Sequence, residues 1–204
     1  MKKVILIVGI FAFFAILNTA NAQNARHGEG FGISAGVARI APTGNLSNFF
    51  TPTAGFNISA DFRFTGLYLG GQIEIVPMRL SRPLLTSTDE DAQVFQTGHR
   101  FNYNSLALVV GYNFVQRSRF VVMPFAGVGG GDVSRYNEFS IISFLSISPG
   151  LRIELPLIHF GGDFGGNHLN LRFDIGYNIP VYAIDNSPVV AGNFFFIRTN
   201  IAWW

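Results

Sequence analysis

The sequence predicts an all-β fold, an eight-stranded antiparallel up-and-down barrel that crosses a membrane, and three observations predict it. Apolar and polar residues alternate in segments of about ten residues, the pattern of strands with two unlike faces. Past residue 22 no apolar stretch reaches the roughly 18 residues a spanning helix needs. Only 13% of the chain is charged, against about 25% in soluble domains. A membrane chain without helical spans has a closed barrel as its remaining solution, because lipid satisfies no open backbone group.

The elements follow in chain order. Lys2 and Lys3 precede 14 apolar residues (4–17), and Ala20-Asn21-Ala22 is a small-x-small cleavage site. Residues 1–22 therefore read as a secretory signal peptide, cleaved after Ala22, and 23–204 as the barrel domain. Lys2 and Lys3 are the only lysines, so the mature part keeps 14 − 2 = 12 arginines against 12 acids. Its formal net charge is zero and it carries no basic cluster, which argues against a nucleic-acid partner. The absence of cysteine excludes disulfides and thiol chemistry. No metal or cofactor is expected.

In residues 30–39, Phe31, Ile33, Ala35 and Val37 share a face. In 55–64, Phe56, Ile58, Ala60, Phe62 and Phe64 oppose Asn57, Ser59, Asp61 and Arg63, with Phe62 placed near mid-membrane. Residues 67–76 set Leu69, Ile73 and Ile75 against Gln72 and Glu74. Residues 103–114 set Leu106, Leu108 and Val110 against Ser105 and Ala107. Residues 120–131 are apolar and glycine-rich, with no assignable face. Residues 146–155 alternate Ile147, Leu151 and Ile153 with Ser148, Arg152 and Glu154. Residues 168–179 alternate Leu171, Phe173 and Ile175 with Arg172 and Asp174. Residues 193–203 alternate Phe195, Ile197, Ile201 and Trp203 with Arg198 and Asn200. An even count returns the chain to the side where it began.

Thr65-Gly66 is a tight turn and 115–119 a short one, whereas 41–53 and 77–102 are long, external connections. The glycine-rich stretch 157–167 is longer than a periplasmic turn should be. Pro124 and Pro149 fall inside strands and call for bulges. Phe64, Phe114, Phe120, Trp203 and Trp204 fit an interfacial girdle. A soluble sandwich or lipocalin-like barrel would put the apolar faces inside. The size of those faces and the lysine-free polar faces favour lipid outside.

Eight charges then point inward: Asp61, Glu74, Glu154 and Asp174 with Arg63, Arg152, Arg172 and Arg198. Buried charges must pair and hydrogen-bond, and the arginine fork meets carboxylates bidentately. The balance favours a structural lumen plug over a polar pore. Charge balance and strand number predict little conductance.

The segments 41–62, 123–132, 147–155 and 168–180 resemble the outer-membrane β-barrel domain family that includes OmpA-like, OmpX-like and PorT-like small barrels. The resemblance implies residence in a Gram-negative cell envelope and a final aromatic residue, here Trp203 or Trp204, read by the barrel-insertion machinery. It implies architecture and no specific activity.

Chemistry-bearing candidates are few. Outer-membrane deacylases pair His and Ser two residues apart, and none of His27, His99, His159 or His168 has that neighbour. The nearest arrangement is His99 with Ser105 and the acids Asp89, Glu90 and Asp91. Those acids lack a calcium-loop pattern. The glycine runs 127–131 and 161–166 lack a phosphate-loop ending. The chain is therefore not expected to be an enzyme. The 77–102 loop, with Arg79, Arg82, Leu84, Leu85, Val94 and Phe95, is the expected contact surface, and Arg79 and Arg82 suit lipopolysaccharide phosphates. Its partners are outer-membrane lipid and an envelope protein. A structural or interaction barrel is the first reading, a passive small-solute channel the second, and a lipid A-modifying enzyme the third.

Overall fold

The protein is described by a computed structural model over residues 30–85, 94–117, 120–135, 140–160, 167–185 and 192–204. The expected signal peptide (1–22), His27, the Asp89–Asp91 acids and 161–166 lie outside these residues. Eight long strands form the wall: β1 (Gly30–Pro42), β2 (Thr53–Phe64), β3 (Leu67–Leu80), β4 (Arg100–Tyr112), β5 (Phe120–Ser134), β6 (Ser140–Phe160), β7 (Asn167–Asp185) and β8 (Phe194–Trp203). Each pairs antiparallel with its sequence neighbours, and β1 pairs with β8. The result is a closed eight-stranded barrel.

The register fixes its shape. One path of paired residues runs Gly30, Arg63, Tyr68, Gly111, Phe125, Gly150, Gly176, Phe196 and back to β1 at Ile40. The offset on return is 40 − 30 = 10 residues. With the usual strand rise and spacing, that stagger tilts the strands about 40° from the axis. A barrel of this size has an interior about wide enough for side chains to fill.

The faces divide as alternation requires. Phe56, Ile58, Phe62, Leu69, Ile73, Leu108, Ile175, Ile197 and Ile201 point outward, and Phe56 is 75% exposed. Such a continuous apolar wall has no counterpart on soluble monomers and is the lipid-facing band of a membrane barrel. Ser34, Asn57, Ser59, Gln72, Asn170, Asn178 and Asn200 are buried inside with the charges. Phe62 pairs with Phe31 and Leu69, one outward step from the strand end at Phe64. It therefore sits near the rim, and mid-membrane falls at Ile58 and Ile73.

Other expectations need correction. The stretch 157–167 is strand at both described margins: β6 runs to Phe160, β7 begins at Asn167, and His159 pairs with His168. Strand β3 continues to Leu80 and β4 begins at Arg100, so the 77–102 connection shrinks to 81–99. A two-residue ladder there pairs Leu84-Leu85 with Val94-Phe95. The 41–53 connection holds a 3-10 turn (Gly44–Asn48) and a short strand, Phe50-Thr51, paired to the end of β3. The 115–119 segment places Val115–Arg117 against β5.

Pro124 lies at a bulge. From Gly111↔Phe125 to Val115↔Val122, the β4 side takes four steps and β5 three. Pro149 has none; the β6–β7 ladder lapses between Ile147 and Gly150 without changing register. The missing proline N–H coincides with that lapse, while Pro149 stays in register with Ala126 on β5. Strand β5 has a definite inner face after all, carrying Val121, Met123, Phe125 and Val133. The glycines of 127–131 belong to this strand. The turn at Thr65-Gly66 has φ of 47° and 83°. Both are left-handed, as a two-residue hairpin of the mirror-image type demands.

Candidate functional site: the charged lumen and its closures

Strand pairing brings the eight charges together. Arg152 and Asp174 are direct partners across β6 and β7, as are Glu154 and Arg172. Asp174 also faces Arg198 on β8. All eight side chains are at most 4% exposed. Arg152 donates bidentately to Asp174, Nε to Oδ1 at 2.7 Å and Nη2 to Oδ2 at 2.8 Å. Arg172 Nε donates to Glu154 Oε1 at 2.9 Å, and its Nη1 donates to Asp61 Oδ2 at 2.7 Å. Arg63 Nη2 shares Glu154 Oε1 at 2.5 Å. Arg198 Nε donates to Glu74 Oε1 at 2.5 Å and lies 3.9 Å from Asp174 through Nη1.

Neutral groups complete the network. Ser34 and Ser59 each accept from Arg172 Nη1 at 3.1 Å. Tyr68 donates to Asp61, and Ser105 to Glu74 at 2.9 Å. In the amide orientation that satisfies both its ends, Gln72 accepts from Arg198 and from Asn57. Aromatic faces cover the guanidinium groups: Arg152 lies 4.4 Å from the Tyr68 ring centre and Arg198 3.5 Å from Phe196. Every acid meets an arginine, the condition under which buried charge is tolerated.

The lumen is closed beyond the charges at both ends. Towards the long loops, Phe196, Phe194, Tyr103, Phe144 and Phe101 are buried inside. Tyr103 is 4.8 Å from Phe194 and 5.9 Å from Phe144, and Phe101 is 5.3 Å from Phe95 and 5.8 Å from Phe50. Leu46, Leu80 and Leu84 seal this cap from above. Sequence alternation missed the cap because it expected apolar residues only on the outer wall. Two signals point to it: the run Phe194-Phe195-Phe196, apolar on both faces, and Val76 and Met78, out of phase with Ile73 and Ile75.

At the other end Trp203 and Trp204 part company. Trp203 is 51% exposed and faces lipid, whereas Trp204 is 9% exposed and turned into the barrel mouth. Trp204 therefore does not join the outer girdle of Phe64, Phe114, Phe120 and Trp203. Its backbone extends the β7–β8 ladder through two bonds to His168, at 2.9 and 3.0 Å. Its ring lies 3.9 Å from Arg63, a cation–π contact. The indole rests flat on Gly32, where a Cβ would come within 2.4 Å of it. In a Trp203→Phe background, Gly32→Val should evict the indole, shifting Trp204 emission to the red and raising its acrylamide quenching. An unchanged spectrum would show that the glycine seat is dispensable.

The other candidates separate. Ser105 spends its hydroxyl on Glu74 inside the barrel, while His99 lies half-buried beside Phe95, ring centres 6.1 Å apart, at the loop end. They do not form a nucleophile–base pair. Leu84 and Phe95 belong to the cap, and Val94 of that ladder is exposed. Arg79 and Arg82 are exposed at the loop end. Among the described residues no group of three or more His, Cys or acidic side chains could hold a metal. A groove of about 600 Å³ on the outer wall, floored by Ala35, Ala60 and Gly71, faces lipid tails and stays apart from the charges.

No family model matches the chain, and no curated protein matches it. Solved structures do. Neisserial surface protein A aligns with a TM-score of 0.51 at 15% identity, over 85% of this chain and 96% of its own. The attachment invasion locus protein Ail of Yersinia pestis, solved with the heparin analogue sucrose octasulfate, aligns with a TM-score of 0.41 at 13% identity, over 86% and 99%. The closed antiparallel wall, the lipid-facing band and the first of these likenesses together give this chain the fold of the small eight-stranded outer-membrane barrels.

Proposed function

We propose that the protein is a closed, non-conducting barrel of the Gram-negative outer membrane, exported through a cleaved signal peptide, with a structural or interaction role carried by its loop end. One observation carries this reading: the lumen is filled along its length. The Trp204 ring, the paired charges and the aromatic cap leave no described path for solute. A passive channel would need that packing to open. A lipid-modifying enzyme would need a nucleophile beside a base, and the described serine and histidine candidates are apart.

The contacts assigned to it follow from position. Arg79 and Arg82 stand at lipid head-group level and suit lipopolysaccharide phosphates. An envelope protein would meet the 81–99 excursion. Trp203, facing lipid at the end of β8, is the member of the Trp203–Trp204 pair open to the barrel-insertion machinery.

Planar-bilayer recording of the refolded protein tests closure. The expected trace shows no stable single-channel steps. Large, long-lived steps would sink the non-conducting reading. Mass spectrometry of lipid A from envelopes with and without the protein tests for the enzyme, and identical profiles are expected.

A further inference from the structure

The ionised side chains of the outer wall are sorted by height. On β3 the outward row runs from Leu67 through Ile73 and Ile75 to Pro77 and then Arg79. On β4 the row ends in Asn104, Asn102 and Arg100. Leu67 to Pro77 spans 77 − 67 = 10 residue steps, about 33 Å along the strand and about 25 Å along the barrel axis at this tilt. That is close to the height of the apolar band, about 25 Å. Arg79 thus stands just beyond the hydrocarbon edge.

The register sets Arg100 directly opposite Arg79, and both are exposed. Like charges directly opposite each other destabilise a strand pair. Among the described residues no carboxylate forms an ion pair with either arginine. Arg82, in the bend after β3, and Arg39, outward on β1, add two more exposed guanidinium groups at this end. Beside them Asn102 pairs with Ser134, and Asn104 Nδ2 lies 3.3 Å from Ser134 Oγ and 3.4 Å from Asp132. Amides and hydroxyls of this kind bond sugar hydroxyls.

We propose that Arg79 and Arg100 clamp one phosphate of a bis-phosphorylated glycolipid in the outer leaflet, with Arg82 and Arg39 at its flanks and the β4–β5 amides against its sugar. A phosphate between the two forks turns a repulsive pair into two charge-assisted contacts, each with bidentate geometry. Four positive groups outweigh the one carboxylate of the polar patch, Asp132, which faces the Asn104 amide at 3.4 Å, and match two phosphates on a sugar better than the single charge of a glycerophospholipid. The assignment rests on the reading that the loop end faces outward.

The test is native mass spectrometry of the refolded full barrel with bis-phosphorylated lipid A, its phosphate-free form and phosphatidylglycerol. The wild type should retain the bis-phosphorylated lipid preferentially. The Arg79→Gln/Arg100→Gln double variant should lower that retention by about tenfold, the loss of one or two charge-assisted contacts. Heat-modifiable gel migration should stay unchanged, because both side chains lie outside the packed lumen. Equal retention by the variant, or equal binding of the phosphate-free lipid or of phosphatidylglycerol, would overturn the clamp. Orientation is read separately: Arg82→Cys should label in whole cells with a membrane-impermeant maleimide. Absence of labelling would overturn the outward reading, and with it the outer-leaflet assignment, whatever the spectrometer records.

Discussion

Replacing Arg172 with alanine should destabilise the barrel by about 3–5 kcal/mol, the cost of removing one partner from a buried ion pair. Arg172 is fully buried and binds two carboxylates at once, Glu154 and Asp61, along with Ser34 and Ser59. Its loss strands negative charge where no water reaches it. Arg63 still holds Glu154 at 2.5 Å, so Asp61 becomes the more exposed casualty, left with Tyr68 and Ser59. Urea unfolding in lipid vesicles, followed by tryptophan emission, measures the effect. A double variant, Arg172→Met with Asp61→Asn, should recover part of the loss, because it removes the orphaned charge along with its partner. A single-variant loss below about 1 kcal/mol, the range of exposed pairs, would mean that the lumen is wetter and looser than its hydrogen bonds imply.

The second large effect lies on the opposite face. Ile58→Arg puts a charge on the lipid wall at mid-height and should cost about 2–4 kcal/mol. Ile58 is 59% exposed, to lipid on this reading. The same change at Phe62, near the rim, should cost about 0–1 kcal/mol, as expected close to the interface. Asn57→Ala, one residue from Ile58 but inside the barrel, should cost about 0.5–1.5 kcal/mol, the net worth of its bond to Gln72. The order Ile58, then Asn57 and Phe62, in vesicle unfolding is the signature of a lipid exterior. If Asn57→Ala proved the costliest and Ile58→Arg were harmless, apolar side chains would have to face inward.

Much of this was legible in the sequence because a strand's two faces are written in alternate residues. Asp61, Glu74, Arg152, Glu154, Arg172, Asp174 and Arg198 all sit on polar faces of segments whose period is 2, and alternation alone places them on one side. The pairing of Arg152 with Asp174 and Glu154 with Arg172 needs one further fact, the β6–β7 register, which bulges near Pro156 and Pro180 shift. Alternation does not record where such shifts fall. The cap was hidden for a different reason: when both faces are apolar, as at Phe194-Phe195-Phe196, the pattern carries no sign of which side is inside. The run 120–131 was ambiguous because its glycines contribute no side chain to either face. Trp204 was misplaced because its aromatic character at the chain's end suggested the girdle, although alternation with Trp203, Ile201 and Ile197 gives it the inward phase, and Gly32, whose bare backbone admits the ring, supplies its seat. The Arg79–Arg100 pair was half visible. Arg79 and Arg82 stood out within one loop, but Arg100 joins them only through a ladder between strands twenty residues apart.

Closure of the wall has a consequence for assembly. Ile33 pairs with Trp203, so the first strand must wait for a partner 203 − 33 = 170 positions downstream. Half of its backbone donors and acceptors stay unmatched until the last hairpin arrives. Such distant pairings are slow to form, and an unfinished sheet in that interval offers its open margins to any other chain. The final seam, β1 against β8, is therefore the step at which a nearly complete sheet becomes a barrel and its open margins disappear.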